Sequence, residues 1–272
     1  QVEVIYDEEA ATVLGLYPDQ VTVSIHTGSR GLGYQVCDHY LRVMLKAARQ
    51  YGITLPDRQL CCAPLQSDEA GDYMAAMACA ANFAFANREM ITSGVRGTFA
   101  AIFQKGQSEL GMATVYDVCH NIAKWEKHDI DGKERKLCVH RKGATRAFPP
   151  GHAEIPATYQ KIGHPVLIPG DMGRYSYVLT GPSGAYGGTF GSSCHGAGRL
   201  MSRHAAKKAA RGRDILASLA KRGIVVRAAG RATVAEEMPE AYKDVADVVK
   251  VVEQAGLGHM VARLRPMAVV KG

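Results

Sequence analysis

No run in this chain stays apolar long enough to cross a membrane. The most apolar stretch, residues 73–87, is uncharged but alanine-rich, and falls short of the roughly 18 residues a spanning helix needs. It is expected to form a buried helix in a cytoplasmic protein with no membrane partner. The seven cysteines contain no C-x-x-C pair, and Cys61 and Cys62 are adjacent, so neither a zinc site nor a disulfide framework is indicated. Odd in number and irregularly spaced, they read as reduced and mostly buried. There is no G-x-x-x-x-G-K-[ST] loop, which argues against a P-loop nucleotide site. The H-x-E…P-C-x-x-C pattern of the zinc deaminases is also missing. Asp131-Gly132-Lys133 does not supply the K-x-D-G lysine of the usual nucleotidyl-transfer ligases. Internal repeats and low-complexity linkers are absent. No signal peptide is evident, and Gln1-Val2-Glu3 is an unusual start, so the chain is expected to begin within a longer protein.

What is present is an ordinary globular composition, 47% hydrophobic and 22% charged, sufficient for a substantial core. The net charge of +7 suits an anionic partner, nucleic acid among the possibilities. Strands are expected at 2–6, 21–25, 113–118, 137–140, 166–168, 176–179, 224–227 and 264–270. Helices are expected at 7–14 with Asp7 as N-cap, and at 34–51, 68–93, 96–111, 198–211, 215–221 and 236–254. Asp131-Gly132 signals a hairpin turn, and 141–146 reads as a basic loop. Without strict βαβ alternation the chain is expected to be α+β, not doubly wound.

The most informative stretch is Gly191-Ser192-Ser193-Cys194-His195-Gly196-Ala197-Gly198-Arg199. It is a glycine-rich loop with one histidine, expected to run straight into a basic helix. Glycines allow close backbone approach to a ligand, and a helix N-terminus favours an anion. Arg199, Arg203 and Lys207 would share one face of that helix. The stretch suits a phosphorylated ligand, with His195 as nucleophile or acid–base group. His26 and His120 stand in a similar context, each at an expected strand end before a turn. Both are candidate metal ligands, although two histidines do not close a site. Taken singly, each of the three histidines also reads as a hydrogen-bonded structural residue. Arg30, Lys142, Arg146, Arg199 and Arg203 are candidate phosphate contacts.

Five blocks carry a resemblance. They are His26-Thr27-Gly28-Ser29-Arg30-Gly31-Leu32-Gly33, Tyr116-Asp117-Val118-Cys119-His120-Asn121, His140-Arg141-Lys142-Gly143-Ala144-Thr145-Arg146, Pro169-Gly170-Asp171-Met172-Gly173, and Cys194-His195-Gly196-Ala197-Gly198-Arg199. In this order they resemble the signature blocks of the RtcB family of GTP-dependent RNA-splicing and tRNA ligases. The resemblance implies an RtcB-like mixed sheet or sandwich core with surrounding helices. It also implies joining of RNA 2′,3′-cyclic phosphate or 3′-phosphate ends to 5′-hydroxyl ends, as in tRNA splicing and RNA repair, with GTP and Mn²⁺ as cofactors. His195 would be the guanylylated nucleophile, and His26 and His120 metal ligands. Asn121, Asp171, Ser176, Ala197, Gly198, Tyr242 and Lys271 would line the nucleotide site. Arg30, Lys142, Arg199 and Arg203 would hold RNA. Implied partners are tRNA halves or broken RNA, and an archease-type accessory protein.

The family's Asp-x-x-Cys block and its Asn-His block do not occur here. Residues 1–272 therefore resemble the C-terminal portion of a single RtcB-like catalytic domain, whose N-terminal portion would supply the remaining metal ligands. The alternatives are a non-catalytic RNA-binding remnant and a truncated, inactive fragment. Retention of His195 with its glycines favours derivation from an ordinary ligase.

Overall fold

The computed structural model describes residues 1–182 and 186–272. In chain order the elements are β1 (Val2–Ile5), α1 (Glu8–Leu14), α2 (Arg30–Gln50), α3 (Asp68–Phe103), β2 (Asn121–Ile130), β3 (Lys133–Lys142) and β4 (Ala144–Arg146). They continue with β5 (Pro165–Ile168), β6 (Ser176–Thr180), α4 (Tyr186–Thr189), β7 (Ser192–Cys194), α5 (Arg203–Ala209), α6 (Ile215–Ala220) and β8 (Val225–Ala228). The last four are α7 (Arg231–Glu236), α8 (Val245–Gln254), β9 (His259–Leu264) and β10 (Ala268–Lys271). The fold is α+β. The chain divides into two compact units, Gln1–Thr22 with Lys124–Gly272, and Val23–Ala123.

The larger unit is built on a four-stranded antiparallel sheet ordered β1-β9-β6-β5. Val166, Ile168, Tyr177 and Leu179 from its strands pack with Val245, Val249 and Val252 of α8. Those valines recur at i, i+4 and i+7, which places them on one face of the helix. Asp244 caps α8 by accepting from Ala246 N at 2.9 Å. The parallel pair β8·β10 is separate from this sheet, so strand pairing in the unit is mixed. The hairpin β2·β3 turns at Asp131 and Gly132, with φ of 54° and 76°. Two successive positive φ values are what a tight hairpin turn requires, and glycine accepts the second without strain.

The smaller unit pairs α2 with α3. Met44, Ala47 and Ala48 on α2 and Ala70, Ala80 and Ala84 on α3 are buried, and Tyr40 meets Tyr73 with ring centroids 5.2 Å apart.

Several expectations are corrected. The stretch 21–25 is not a strand. It has no ladder partner among the described residues, and Val21 and Val23 are exposed. The stretch 113–118 is also irregular, and Arg96 on α3 ties it down at its start, donating to Met112 O at 3.0 Å and Thr114 Oγ1 at 2.9 Å. α2 starts at Arg30, four residues earlier than expected, so Gly31 and Gly33 of that block sit in its first turn. The helices expected at 68–93 and 96–111 are one 36-residue helix, α3. It is far from buried: Phe83, Phe85 and Met90 are exposed, because α2 covers only one side of an alanine-rich helix that its own propensity sustains. The helix expected at 236–254 breaks at Met238-Pro239, and only α8 remains. The basic loop 141–146 is two strands joined at Gly143. None of the seven cysteines is buried, and all are free thiols. No described helix is long and apolar enough to cross a membrane.

Candidate active-site elements

In the smaller unit, His26 and His120 lie edge to face, ring centroids 5.1 Å apart, with a ring nitrogen of each within 4.8 Å of the other's. Neither histidine is on a regular element, yet their loops are fastened by neighbouring side chains on α3. Asn87 donates to Gly28 O at 3.0 Å. Arg88, 9% exposed, donates to Thr27 O at 3.2 Å and through Nε to Asp117 at 2.6 Å. One guanidinium thus ties the loop after His26 to the loop before His120. Imidazoles at this spacing are suitable donors for a divalent metal, since two nitrogens sharing one ion at about 2.1 Å each sit within about 4 Å of one another. Asn121 opens β2 directly after His120 and is exposed; Arg30 is exposed at the start of α2.

In the larger unit, His195 follows the last residue of β7. β7 pairs antiparallel with β4 in three rungs, Ala144 with Cys194, Thr145 with Ser193, and Arg146 with Ser192. The His195 N–H extends this ladder by donating to Gly143 O at 3.1 Å. Both ring nitrogens of His195 are screened from solvent. Cys194 and the buried Ala197 pack on the main core, anchoring the loop on either side of His195. No helix follows directly. α5 begins at Arg203, capped by Ser202, so Arg199 is not on a helix and the expected three-residue cationic face does not form. Arg203 and Lys207 pair with Glu236 instead.

The Arg199 guanidinium is spent locally. Nη1 donates to Tyr242 Oη at 2.7 Å and lies 3.3 Å from Glu237, Nη2 donates to Glu236 O at 2.6 Å, and Nε to Met201 O at 2.9 Å. Tyr242 donates to Glu237 at 2.5 Å, and Lys271 Nζ stands 3.6 Å from the same carboxylate. Burial, and then the Glu237 carboxylate, push the Tyr242 phenol up to about 12, so it remains a donor. Asp171, its side chain 1% exposed, accepts from the N–H groups of Gly173 and Arg174 and from Arg174 Nε at 2.8, 3.0 and 2.5 Å. Arg174 then donates to the carbonyls of Pro239 and Tyr242. Ser176 Oγ accepts from Gly170 N at 3.2 Å, and the Gly198 carbonyl accepts from Lys243 N at 3.0 Å.

The whole of residues 1–272 matches the family model described as tRNA-splicing ligase RtcB. The chain belongs to the RtcB family. It is 57% identical over 271 residues to the tRNA-splicing ligase RtcB of Pyrococcus abyssi, covering all of this chain and 30% of that protein. It is 56% identical to that of Thermococcus kodakarensis and 55% to that of Archaeoglobus fulgidus, each over 271 residues and 56% of the relative. The chain thus spans about half the length of these two and under a third of the first.

Strand periodicity accounts for which cations of the RtcB basic block are exposed. Along β3, Val139 and Arg141 point inward while His140 and Lys142 point out. Lys142 is therefore available to solvent, whereas Arg141 and Arg146 turn to the buried carboxylate of Glu126. Sequence reading passed over Arg88, Asp117, Glu126 and Glu237. Each acts through a side-chain bond to a residue far along the chain. The sequence leaves no local trace of such bonds: Arg88 stands between Asn87 and Glu89, and Glu126 between Trp125 and Lys127.

Proposed function

We propose that this chain is part of an RNA ligase that joins 2′,3′-cyclic phosphate or 3′-phosphate RNA ends to 5′-hydroxyl ends through a guanylylated His195, using GTP and Mn²⁺. The observation that carries this reading is His195 itself. It stands next to a ladder that fixes its backbone, inside a chain that matches the RtcB family from end to end. Residues 1–272 are read as the C-terminal portion of one catalytic domain. The relatives' further length is the expected source of additional metal ligands.

His195 attacks the α-phosphorus of GTP. A nitrogen–phosphorus bond forms, the bond to the bridging oxygen breaks, and pyrophosphate leaves. An oxygen of the RNA 3′-phosphate then displaces His195 from that phosphorus. The RNA 5′-hydroxyl attacks the activated 3′-phosphate, and GMP departs. His26 and His120 would hold manganese, which when bound polarises phosphoryl oxygens. In the larger unit Asp171, Ser176, Ala197 and Gly198 would contact the nucleotide, with Tyr242 and Lys271 reaching the base; Asn121, in the smaller unit, is the remaining nucleotide contact this reading implies. Asp171 acts by folding the 170–174 turn that holds Arg174 and, through it, Tyr242. Arg30, Lys142 and Arg203 would meet RNA phosphates from exposed positions, and Arg199 orients Tyr242. An archease-type protein is the accessory partner this reading implies. Seven free thiols support a reducing, cytoplasmic setting.

The test is incubation with α-labelled GTP and Mn²⁺ beside His195→Ala. Acid-labile label on the parent alone is the expected result. Equal label on both chains overturns the assignment of His195.

A further inference from the structure

The side chain of Glu126 is wholly buried, and it accepts more charged hydrogen bonds than any other carboxylate among the described residues. Arg141 approaches it with both terminal nitrogens at 2.7 and 2.9 Å, Arg146 with Nε at 2.6 Å, and His128 at 3.0 Å. Glu126 and His128 share one face of β2 by strand alternation. The two arginines bracket Gly143 and β4. Arg141 also grips the segment entering β7, donating to Ser192 Oγ at 2.9 Å and Phe190 O at 2.8 Å. Arg146 is itself a rung of the β4·β7 ladder, opposite Ser192. Fully buried Phe148 lies beside both guanidinium groups, 6.0 and 5.1 Å from their carbon atoms.

A two-stranded ladder of three rungs is not stable alone. Something must hold β4 and β7 in register for His195 to keep one position. Apolar residues of similar volume would stabilise the region as well or better. They could not hold the planar Arg141 fork at a fixed angle, which bidentate pairing does.

We propose that Glu126 is the positioning residue for His195, fastening the β4·β7 ladder to the β2·β3 hairpin through Arg141 and Arg146. The kinetic consequence rests on the reading of His195 as the nucleophile; the positional one does not.

Glu126→Gln keeps the volume and removes the charge that both arginines share. Two readouts are taken on the full chain, with a cooperative melt as the check that it is folded. One is the carbethoxylation rate of His195 relative to exposed His204, read by peptide mass spectrometry. The ratio is expected to rise several-fold as the ladder loosens and the screened ring nitrogens open. The other is labelling from α-labelled GTP. The rate constant at saturation is expected to fall about 10- to 100-fold, with the half-saturating GTP concentration within about twofold of the parent. An unchanged carbethoxylation ratio in folded Glu126→Gln overturns the proposal. So does a reduced labelled fraction at an unchanged rate constant, which is what a purely structural role produces. If Glu126→Gln does not fold, Arg141→Lys carries both readouts, because it keeps the charge and loses the fork. If the parent takes no label, the carbethoxylation ratio alone decides the positional inference.

Discussion

Tyr242 donates its hydroxyl to Glu237 at 2.5 Å, and that one carboxylate also meets Arg199 and Lys271. Residues assigned to the nucleotide surface are therefore gathered around an acid that no motif contains. The Arg199 guanidinium lies 4.7 Å from the centre of the Tyr242 ring, so the ring is held at its face as well as at its hydroxyl.

Tyr242→Phe leaves Glu237 and Arg199 without their shared partner in a half-buried site. The expected loss is about 1–3 kcal/mol, read as a lower urea midpoint with unchanged slope. The concentration of GTP that half-saturates labelling is expected to rise. Because the phenol is pushed up to about 12, the difference between Tyr242→Phe and parent should not vary between pH 6 and 9.

Arg88→Lys keeps a cation beside Asp117 but cannot reach both Asp117 and the Thr27 carbonyl. With the two loops uncoupled, Mn²⁺ affinity is expected to fall about 10- to 100-fold, as it does when groups supporting metal ligands are lost. Titration of free Mn²⁺ by electron paramagnetic resonance measures this directly. Equal affinities would mean that Arg88 does not fix His26 and His120.

Acid should unfold the larger unit in two overlapping stages. Burial, then the charges of Arg146 and Arg141, lower His164 from 6.5 to about 4. Protons therefore bind the unfolded chain first, and about 3 kcal/mol is lost as pH falls from 6.5 to 4. At Glu126 burial pushes upward, but the bonds from Arg141 and His128 and the charge of Arg146 prevail, taking it from 4.5 to about 2. Its contribution, also about 3 kcal/mol, is present above 4.5 and is lost as pH falls toward 2. Denaturant melts of His164→Gln should show a flatter pH dependence between 6.5 and 4 than the parent, with the lower stage intact.

Gly170→Ala should be costly for a chain of this size. A methyl at that position would overlap the Tyr175 carbonyl oxygen and crowd Val245. A loss of about 1–3 kcal/mol is expected, with weaker GTP saturation, because Ser176 loses the partner that Gly170 N–H provides.

Local chemistry was legible in the sequence where the residues themselves decide the outcome. The Asp7 cap, the Asp131-Gly132 turn and strands β5 and β6 formed as their patterns required. The α+β class followed from the same patterns. Residues 21–25 and 113–118 misled because β-branched alternation makes a strand only when another edge is available. Gly198 to Ser202 misled because the charges after His195 looked like a helix face, while Ser202 is the actual cap. His26, His120 and His195 stood out as histidines set in glycine-rich or turn-prone loops. Their supports did not: the bond from Arg88 to Asp117 and that from Arg141 to Glu126 join residues 29 and 15 positions apart, across contacts that only the folded chain creates.

The central position of β9 has a consequence for synthesis. β9 lies between β1 and β6, so the chain's second residue waits for Leu264 as its partner. On the ribosome, β5 and β6 can pair early, but β1 has no neighbour until β9 has been made. The sheet that carries the core of the larger unit therefore closes only after β9 has emerged, and until then its exposed edges are work for a chaperone.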